Sequence, residues 1–385
     1  MNRKPKILYL IDTLETGGAE KSLVELATHN KDIEPVFVHI YKGAGLKPVL
    51  QAHHIPVYSL DITDTYGFKK VRRQLKTLIQ ELKPDVIHAT LLRSELIIRG
   101  LKDDLKIPLV GSIVSNSYAP SRYQNLSLQR RIKLKFFQYY NRFTAGKVDR
   151  FIANSENVRQ AAIKQLHLKP EKVQVIYRGR QAENFKPIPD EKLQALKQEL
   201  HIDRKIVFLT VGRLIQTKGH TEIIKAFAGL LKTHPDSILL IAGDGPEKHN
   251  LNRLITESKL EKSVKLLGNR SDVPALLQLA DIFVFASRLE GLPGALIEAM
   301  FAGKRIISSD IPENLECVSP QDALIFKTGD TQTLQNLMQQ AIEDFNDLKI
   351  LGEHARKTAL QKFELSEIIK QYNALYHYII KNTMQ

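Results

Sequence analysis

The order of apolar runs along this chain predicts an α/β protein made of two doubly wound domains. Three observations carry that prediction. Short β-rich runs alternate with helix-period stretches from end to end, and such alternation means parallel sheets with helices on both faces. At 385 residues the chain exceeds one ordinary core and suits two domains of roughly 180–200 residues. Apolar periodicity lapses at "YRGRQAENFKPIPDEK" (177–192), whose two prolines mark a linker.

In the first half the runs predict strands over 6–11, 35–40, 57–60, 86–89, 109–113, 150–153 and 173–177. Amphipathic stretches such as "AEKSLVELATHN" and "GFKKVRRQLKTLIQELK" lie between them. The second half repeats the scheme, with strands over 206–211, 237–242, 264–267, 282–285 and 305–308. Its helices include "HTEIIKAFAGLLKTH", "EKHNLNRLITES", "DVPALLQLA" and one from about Ala295 that carries Glu298. Near the end, "SEIIKQYNALYHYIIKN" sets Ile368, Tyr372, Leu375 and Ile379 on one side of a helix. The expected organisation is a domain over 1–182, a second over 183–365, and a terminal helix over 366–385 that packs back toward the first.

Composition narrows the class. The longest apolar runs, "KIVFLTVG" and "DSILLIAG", fall well short of the roughly 18–20 residues of a membrane span. The basic-then-apolar N-terminus resembles a signal peptide, but Asp12 interrupts the run after Ile11, which predicts a buried first strand instead. Cys317 is the only cysteine, so no internal disulfide forms, which fits a reducing cytoplasm. Residues 1–180 hold 31 Lys and Arg against 16 Asp and Glu, a net of +15, whereas the remainder holds 25 against 26, a net of −1. The N-terminal half is therefore expected to meet something anionic: nucleic acid, a membrane surface or a phosphorylated substrate. No recognised nucleic-acid module appears, which ranks that reading last.

Ligands of open α/β sheets bind beyond the carboxyl ends of the strands, and four loops there carry chemistry. In "DTLETGGAEKSLVEL", Gly17 and Gly18 precede a helix whose N-terminus offers unpaired N–H groups to an anion, or they simply make a tight turn. The G-x-G-x-x-G fingerprint is absent, which argues against a nicotinamide or flavin cofactor. In "TVGRLIQTKGHTEII", Arg213 and Lys218 follow a strand five residues apart, a guanidinium fork and a point charge suited to a diphosphate. In "IAGDGPEKHNL", Gly243 and Gly245 form a turn and leave room for a ligand near the backbone. In "SRLEGLPGALIEAM", Glu290 and Glu298 flank Gly291, Leu292, Pro293 and Gly294. Two carboxylates straddling N–H groups that can meet a phosphate would grip hydroxyls at both ends of a nucleotide-sugar.

Taken in order, "GGAE", "VGRLIQTKG", "GDGPE" and "SRLEGLPGALIEAM" resemble retaining glycosyltransferases of family 4, over nearly the whole chain and most strongly from 211 to 309. The resemblance implies the GT-B fold, two Rossmann-like domains with a cleft between them. It also implies that Glu290 contacts the transferred sugar, Glu298 the ribose, and Arg213 with Lys218 the diphosphate. Main chain around Gly268, Asn269 and Arg270 would hold the base edge, and Gly17 and Gly18 would face the phosphates. A nucleotide-sugar, with UDP the commoner base, is then a substrate; no cofactor and no metal is expected, and "DITD" (61–64) has the wrong spacing for D-x-D and reads as a turn. The acceptor is expected to be a glycan or lipid-linked hydroxyl in surface polysaccharide or lipopolysaccharide assembly. A nucleotide-sugar epimerase of the same fold is the alternative enzyme class. One departure stands out: where many members carry a histidine after a strand like "PLVGSIVSN", this chain has Val114. Ser115, Asn116 and His88 are the nearby polar candidates for the acceptor side, with His88 read first as a satisfied strand histidine.

The stretch 118–150 holds eight Lys and Arg, one acidic residue and seven Phe and Tyr. On a helix Leu128, Ile132, Phe136, Tyr139, Tyr140 and Phe143 share a face, bordered or opposed by Arg130, Arg131, Lys133, Lys135 and Arg142. The expectation is an apolar face turned into the core and a basic strip facing outward, resting on anionic headgroups. Localisation would then be cytoplasmic and peripheral to the inner membrane face.

Overall fold

The computed structural model describes residues 3–63, 68–119, 123, 126–202, 206–345 and 348–383. The chain forms two compact units, Met1–Gly179 with Leu365–Gln385, and Arg180–Glu364.

In the first unit, successive residues of one strand are buried on opposite faces. Leu8 and Leu10 of β1 (Lys6–Ile11) join an apolar cluster with Val38, Ile87 and Ala89. Ile7, Tyr9 and Ile11 join another with Phe37, Val86 and Val110. A strand apolar on both sides requires cover on both faces, the condition of a parallel sheet. The remaining strands are β2 (Glu34–Tyr41), β3 (Val57–Ile62), β4 (Val86–Thr90), β5 (Leu109–Ile113), β6 (Arg150–Ala153) and β7 (Val173–Val175). All pair in parallel in the order β3-β2-β1-β4-β5-β6-β7, so the order reverses between β1 and β4. Asp61 lies within β3 rather than in a turn, and Asp64 is outside the described residues.

The second unit repeats the plan with β8 (Ile206–Val211), β9 (Ser237–Ala242), β10 (Val264–Gly268), β11 (Ile282–Phe285), β12 (Arg305–Ser309) and β13 (Leu324–Phe326). Their order is β10-β9-β8-β11-β12-β13, again all parallel, with the reversal between β8 and β11. The edge strand β13 was not expected: three residues are too few for a periodic signal, and its pairing with β12 is what makes it a strand.

The helix Leu365–Thr383 belongs to the first unit, where Ile368, Leu375, Tyr376 and Ile379 pack on the cluster around Ile7, Tyr9 and Ile11. Each such side chain contributes about 1.5–3 kcal/mol when fully buried. Among the described residues, no helix is long and apolar enough to cross a membrane.

The basic helix departs from expectation. Over Leu128–Thr144 its apolar stripe faces outward: Leu128 is 73%, Ile132 60%, Phe136 65%, Tyr139 71% and Phe143 80% exposed. The side held inward carries Leu134, packed on the core, and hydrogen-bonding groups. Asn141 donates to the Tyr118 hydroxyl at 3.1 Å and accepts from Arg99 at 2.5 Å, and the Tyr140 hydroxyl accepts from Arg72 at 3.3 Å. Arg99 is fully buried against Glu95, and a buried guanidinium with only one carboxylate partner still needs acceptors, which this helix supplies.

His88 proves to be a core residue. Its Nδ1 lies 2.7 Å from the Tyr376 hydroxyl and its Nε2 2.6 Å from the Ser112 hydroxyl. Burial pulls its pKa down to about 3. The unfolded histidine titrates near 6.5, so the unfolded chain takes up the proton first; the stability this neutral ring confers is complete above pH ~6.5 and declines as pH falls toward 3. Tyr376→Phe would leave a buried ring nitrogen without a partner, and urea unfolding at pH 7.5 should show a loss of about 1–3 kcal/mol. Unchanged stability would mean that the nitrogen finds another partner or reaches water.

Candidate active site

Between β8 and β11 the strand order reverses, so the loops after these strands diverge and open a crevice at their carboxyl ends. Main chain ties the two loops together: the Arg288 N–H donates to the Thr217 carbonyl at 2.8 Å, and the Ser287 hydroxyl donates to the same oxygen at 3.2 Å. Gly219 permits the approach. Its φ is +71°, and a Cβ there would lie 2.2 Å from the Ala286 carbonyl oxygen. Gly243, at φ +148°, is pressed as closely against the Gly212 carbonyl, where a Cβ would lie 1.9 Å away. At Gly243 and Gly245 of "GDGP" the missing Cβ atoms let the protein's own backbone come close, at the carbonyls of Gly212 and Leu214.

The charged groups sort into pairs. The Lys218 ammonium hydrogen-bonds the Glu290 carboxylate and stands 5.9 Å from the Phe285 ring centroid, with both side chains largely withdrawn from solvent. Arg213 is exposed and forms no ion pair with a described residue. Its carbonyl lies 3.2 Å from His220 Nε2. Burial lowers the His220 pKa to about 4, so the ring is neutral, and its buried Nδ1 has no partner among the described residues. His220 opens the helix His220–Leu230 and braces the loop that carries Arg213 and Lys218.

Glu298 lies one turn into the helix Gly294–Phe301, where its carboxylate accepts from Arg180 Nε at 2.8 Å. The guanidinium lies over the helix N-terminus: a Cβ on Gly294 would sit 2.8 Å from Arg180 Nη2. Leu292 and Pro293 are buried beneath this turn, and Gly291 is half-buried beside them. The positive end of the helix and the guanidinium together make an electropositive spot with a carboxylate beside it. Gly268 ends β10 at φ +68° and its carbonyl accepts from the Gly243 N–H at 2.8 Å. Asn269 is exposed, whereas Arg270 is engaged by Asp272 at 2.7 and 2.8 Å and by Glu199 at 2.8 Å.

The first-unit candidates separate. Gly17 caps the helix Gly18–His29, but the Glu20 carboxylate folds back over it, and a Cβ at Gly17 would lie 2.1 Å from Glu20 Oε2. Burial raises the Glu20 pKa, against the opposing pull of backbone N–H groups at Ala19 and Glu20. Beside Gly18, a Cβ would lie 3.3 Å from Arg178 Nη1. Val114, Ser115 and Asn116 line a cavity with Glu95, Tyr118 and Asn141, and Asn116 accepts from Gln165 at 2.9 Å. His88 reaches that cavity only through Ser112. At its rim Leu91 adopts φ 77°, ψ 152°, a conformation that a side-chain-bearing residue rarely adopts.

Two residues of this site escaped the reading of the sequence. Arg180 sits in the aperiodic linker, with nothing local to link it to Glu298 118 positions away. His220 was visible as the residue after "KG", but only its burial and its bond to the Arg213 carbonyl show its part.

Two parallel-sheet Rossmann-like units, each with a reversal of strand order, place the chain in the GT-B fold class. Residues 192–358 match the family of group 1 glycosyl transferases and residues 16–183 match glycosyltransferase family 4, and the chain belongs to the family 4 GT-B glycosyltransferases. It is 26% identical over 342 residues, 86% of this chain and 85% of the relative, to an Escherichia coli UDP-Gal:alpha-D-GlcNAc-diphosphoundecaprenol alpha-1,3-galactosyltransferase. It is 33% identical over 224 residues, 57% of this chain and 58% of the relative, to a Campylobacter jejuni N,N'-diacetylbacillosaminyl-diphospho-undecaprenol alpha-1,3-N-acetylgalactosaminyltransferase. In fold it is similar to Anabaena HepE, solved in complex with UDP-glucose, with a TM-score of 0.84 at 24% identity over 97% of this chain and 100% of that one.

The Lys218–Glu290 contact is open to a direct check. Thermal unfolding of Lys218→Ala, Glu290→Ala and the double variant should give a coupling energy of about 1–3 kcal/mol, because either single change strands a largely buried charge. Additive effects would mean that the pair is not formed in solution.

Proposed function

We propose that the enzyme moves a sugar, with retention of anomeric configuration and without a metal ion, from a nucleoside-diphosphate donor of the UDP class to a hydroxyl of a lipid-linked glycan. The place of action is the assembly of surface polysaccharide or glycolipid at the cytoplasmic face of a membrane. The observation that carries the reading is the meeting of Lys218 with Glu290 at the switch point, on the loop that also bears Arg213. The UDP class is supported by the donor in the Escherichia coli relative's name and by the UDP-glucose in the HepE structure. The acceptor class is supported by the diphosphoundecaprenol-linked sugars in the names of both relatives.

In this scheme the donor exchanges the Lys218–Glu290 contact for two of its own. Lys218 turns to the diphosphate beside Arg213, and Glu290 accepts a hydroxyl of the transferred sugar. Glu298, oriented by Arg180, accepts the ribose hydroxyls. As the bond from the anomeric carbon to the β-phosphate oxygen breaks, negative charge gathers on that oxygen, where a fixed cation stabilises it by roughly 3–4 kcal/mol. The acceptor hydroxyl attacks from the same face and gives its proton to the departing phosphate, so no protein nucleophile enters. Asn116 and Ser115 are the polar groups offered to the acceptor side.

Thermal unfolding with UDP, GDP, ADP and CMP, each with and without EDTA, tests the donor. A ligand at 100 times its Kd adds about 2.7 kcal/mol, so UDP should raise the Tm and EDTA should leave the rise unchanged. A rise that EDTA abolishes would overturn the metal-independent scheme, and no rise with any nucleotide would overturn the donor assignment. With a lipid-linked acceptor, Lys218→Ala should lower kcat roughly 10²–10³-fold, while Glu290→Ala should stop transfer without unfolding the protein. Undiminished transfer by Glu290→Ala would remove that residue from the site.

A further inference from the structure

An ordinary surface helix hides its apolar stripe and shows its charges; Leu128–Thr144 shows its charges and an apolar stripe as well, with only Leu134 of its aliphatic side chains packed on the core. Here Leu128, Ile132, Phe136, Tyr139 and Phe143 form one outward stripe, at the spacing of successive turns. Lys135, Arg142 and Arg131 border it on one side and Lys133 on the other, all exposed. Its 17 residues include no acidic side chain. The inner side is occupied by the bonds of Tyr140, Asn141 and Thr144 to Arg72 and Arg99, so the helix cannot roll over to bury the stripe without breaking them.

We infer that this helix is a membrane-docking element: it lies in the interface of an anionic bilayer, with the five apolar side chains among the acyl chains and the cations on the headgroups. The occupant is identified by the combination. An apolar stripe alone would suit a second copy of the chain, but two such helices face to face would set Lys and Arg against Lys and Arg. An anionic headgroup layer over hydrocarbon satisfies stripe and border together. At a rise of 1.5 Å per residue the helix is about 26 Å long, and on such a length the stripe bears evenly when the axis lies in the membrane plane. Asn141, on the inner side, also lines the cavity beside Val114 and Asn116. One helix therefore links the bilayer to the acceptor side, a consequence that rests on the lipid-linked acceptor proposed above.

The full chain should float with phosphatidylglycerol-containing vesicles and at least about tenfold less with pure phosphatidylcholine vesicles. Phe136→Glu with Phe143→Glu should lose flotation while the UDP-induced melting shift persists, because both side chains are largely exposed. Lys133→Glu should weaken binding about fivefold in low salt. The chain contains no tryptophan, so Phe143→Trp introduces a unique probe, whose emission should shift to the blue and be quenched by brominated lipid. Equal flotation of wild type and the Phe136→Glu, Phe143→Glu variant would overturn the inference, as would an unshifted probe. A wild-type dimer that the same variant converts to a monomer would identify the stripe as a self-association face and overturn it too. A wild-type chain that fails to bind phosphatidylglycerol vesicles while its UDP shift is intact counts against the docking helix alone, whereas a missing UDP shift counts against the donor assignment alone.

Discussion

Everything functional in the second unit depends on the pairing of β8 with β11. It is the point where strands added in one direction give way to strands added in the other, and it sends two loops away from each other at the carboxyl edge of the sheet. Without that reversal the loop carrying Arg213 and Lys218 and the loop carrying Glu290 would be sealed by a crossover helix. With it, the Thr217 carbonyl can receive both Arg288 and Ser287, and the two loops hold one geometry.

The charges collected there sort into two pairs. Lys218 and Glu290 compensate one another in a poorly hydrated place, as do Arg180 and Glu298. Each pair contains an anion-seeking group and a hydroxyl-seeking group, the two functions a nucleotide-sugar requires. The neutral imidazole of His220 adds no charge of its own and supports the loop through the Arg213 carbonyl. In the first unit the same economy recurs at the Gly18–His29 helix, whose N-terminus holds the carboxylate of Glu20.

Buried polarity also explains the orientation of the basic helix. Arg99 is fully enclosed with Glu95, and the pair requires further acceptors. Asn141 and Thr144 provide them, which obliges the side of the helix that bears them to face inward with Leu134 and leaves the apolar stripe facing out. A packing requirement in the core thus creates an apolar surface bordered by positive charge.

Much of this was legible in the residues alone. Short apolar runs alternating with helical stretches made β1, β8 and β9 readable as parallel-sheet strands, and the motifs around Lys218 and Glu290 placed both residues in loops that follow strands. Three features depended on tertiary structure. β13 exists only because Leu324–Phe326 meets β12. Arg180 joins the site only because the linker returns to the start of the Glu298 helix. The third is which side of the Leu128–Thr144 helix faces out, since periodicity establishes that a helix has two unlike sides and says nothing of which one the core accepts. Local pattern determines what each segment can form; the pairing of distant segments, and the bonds a buried charge must find, decide which way its side chains face.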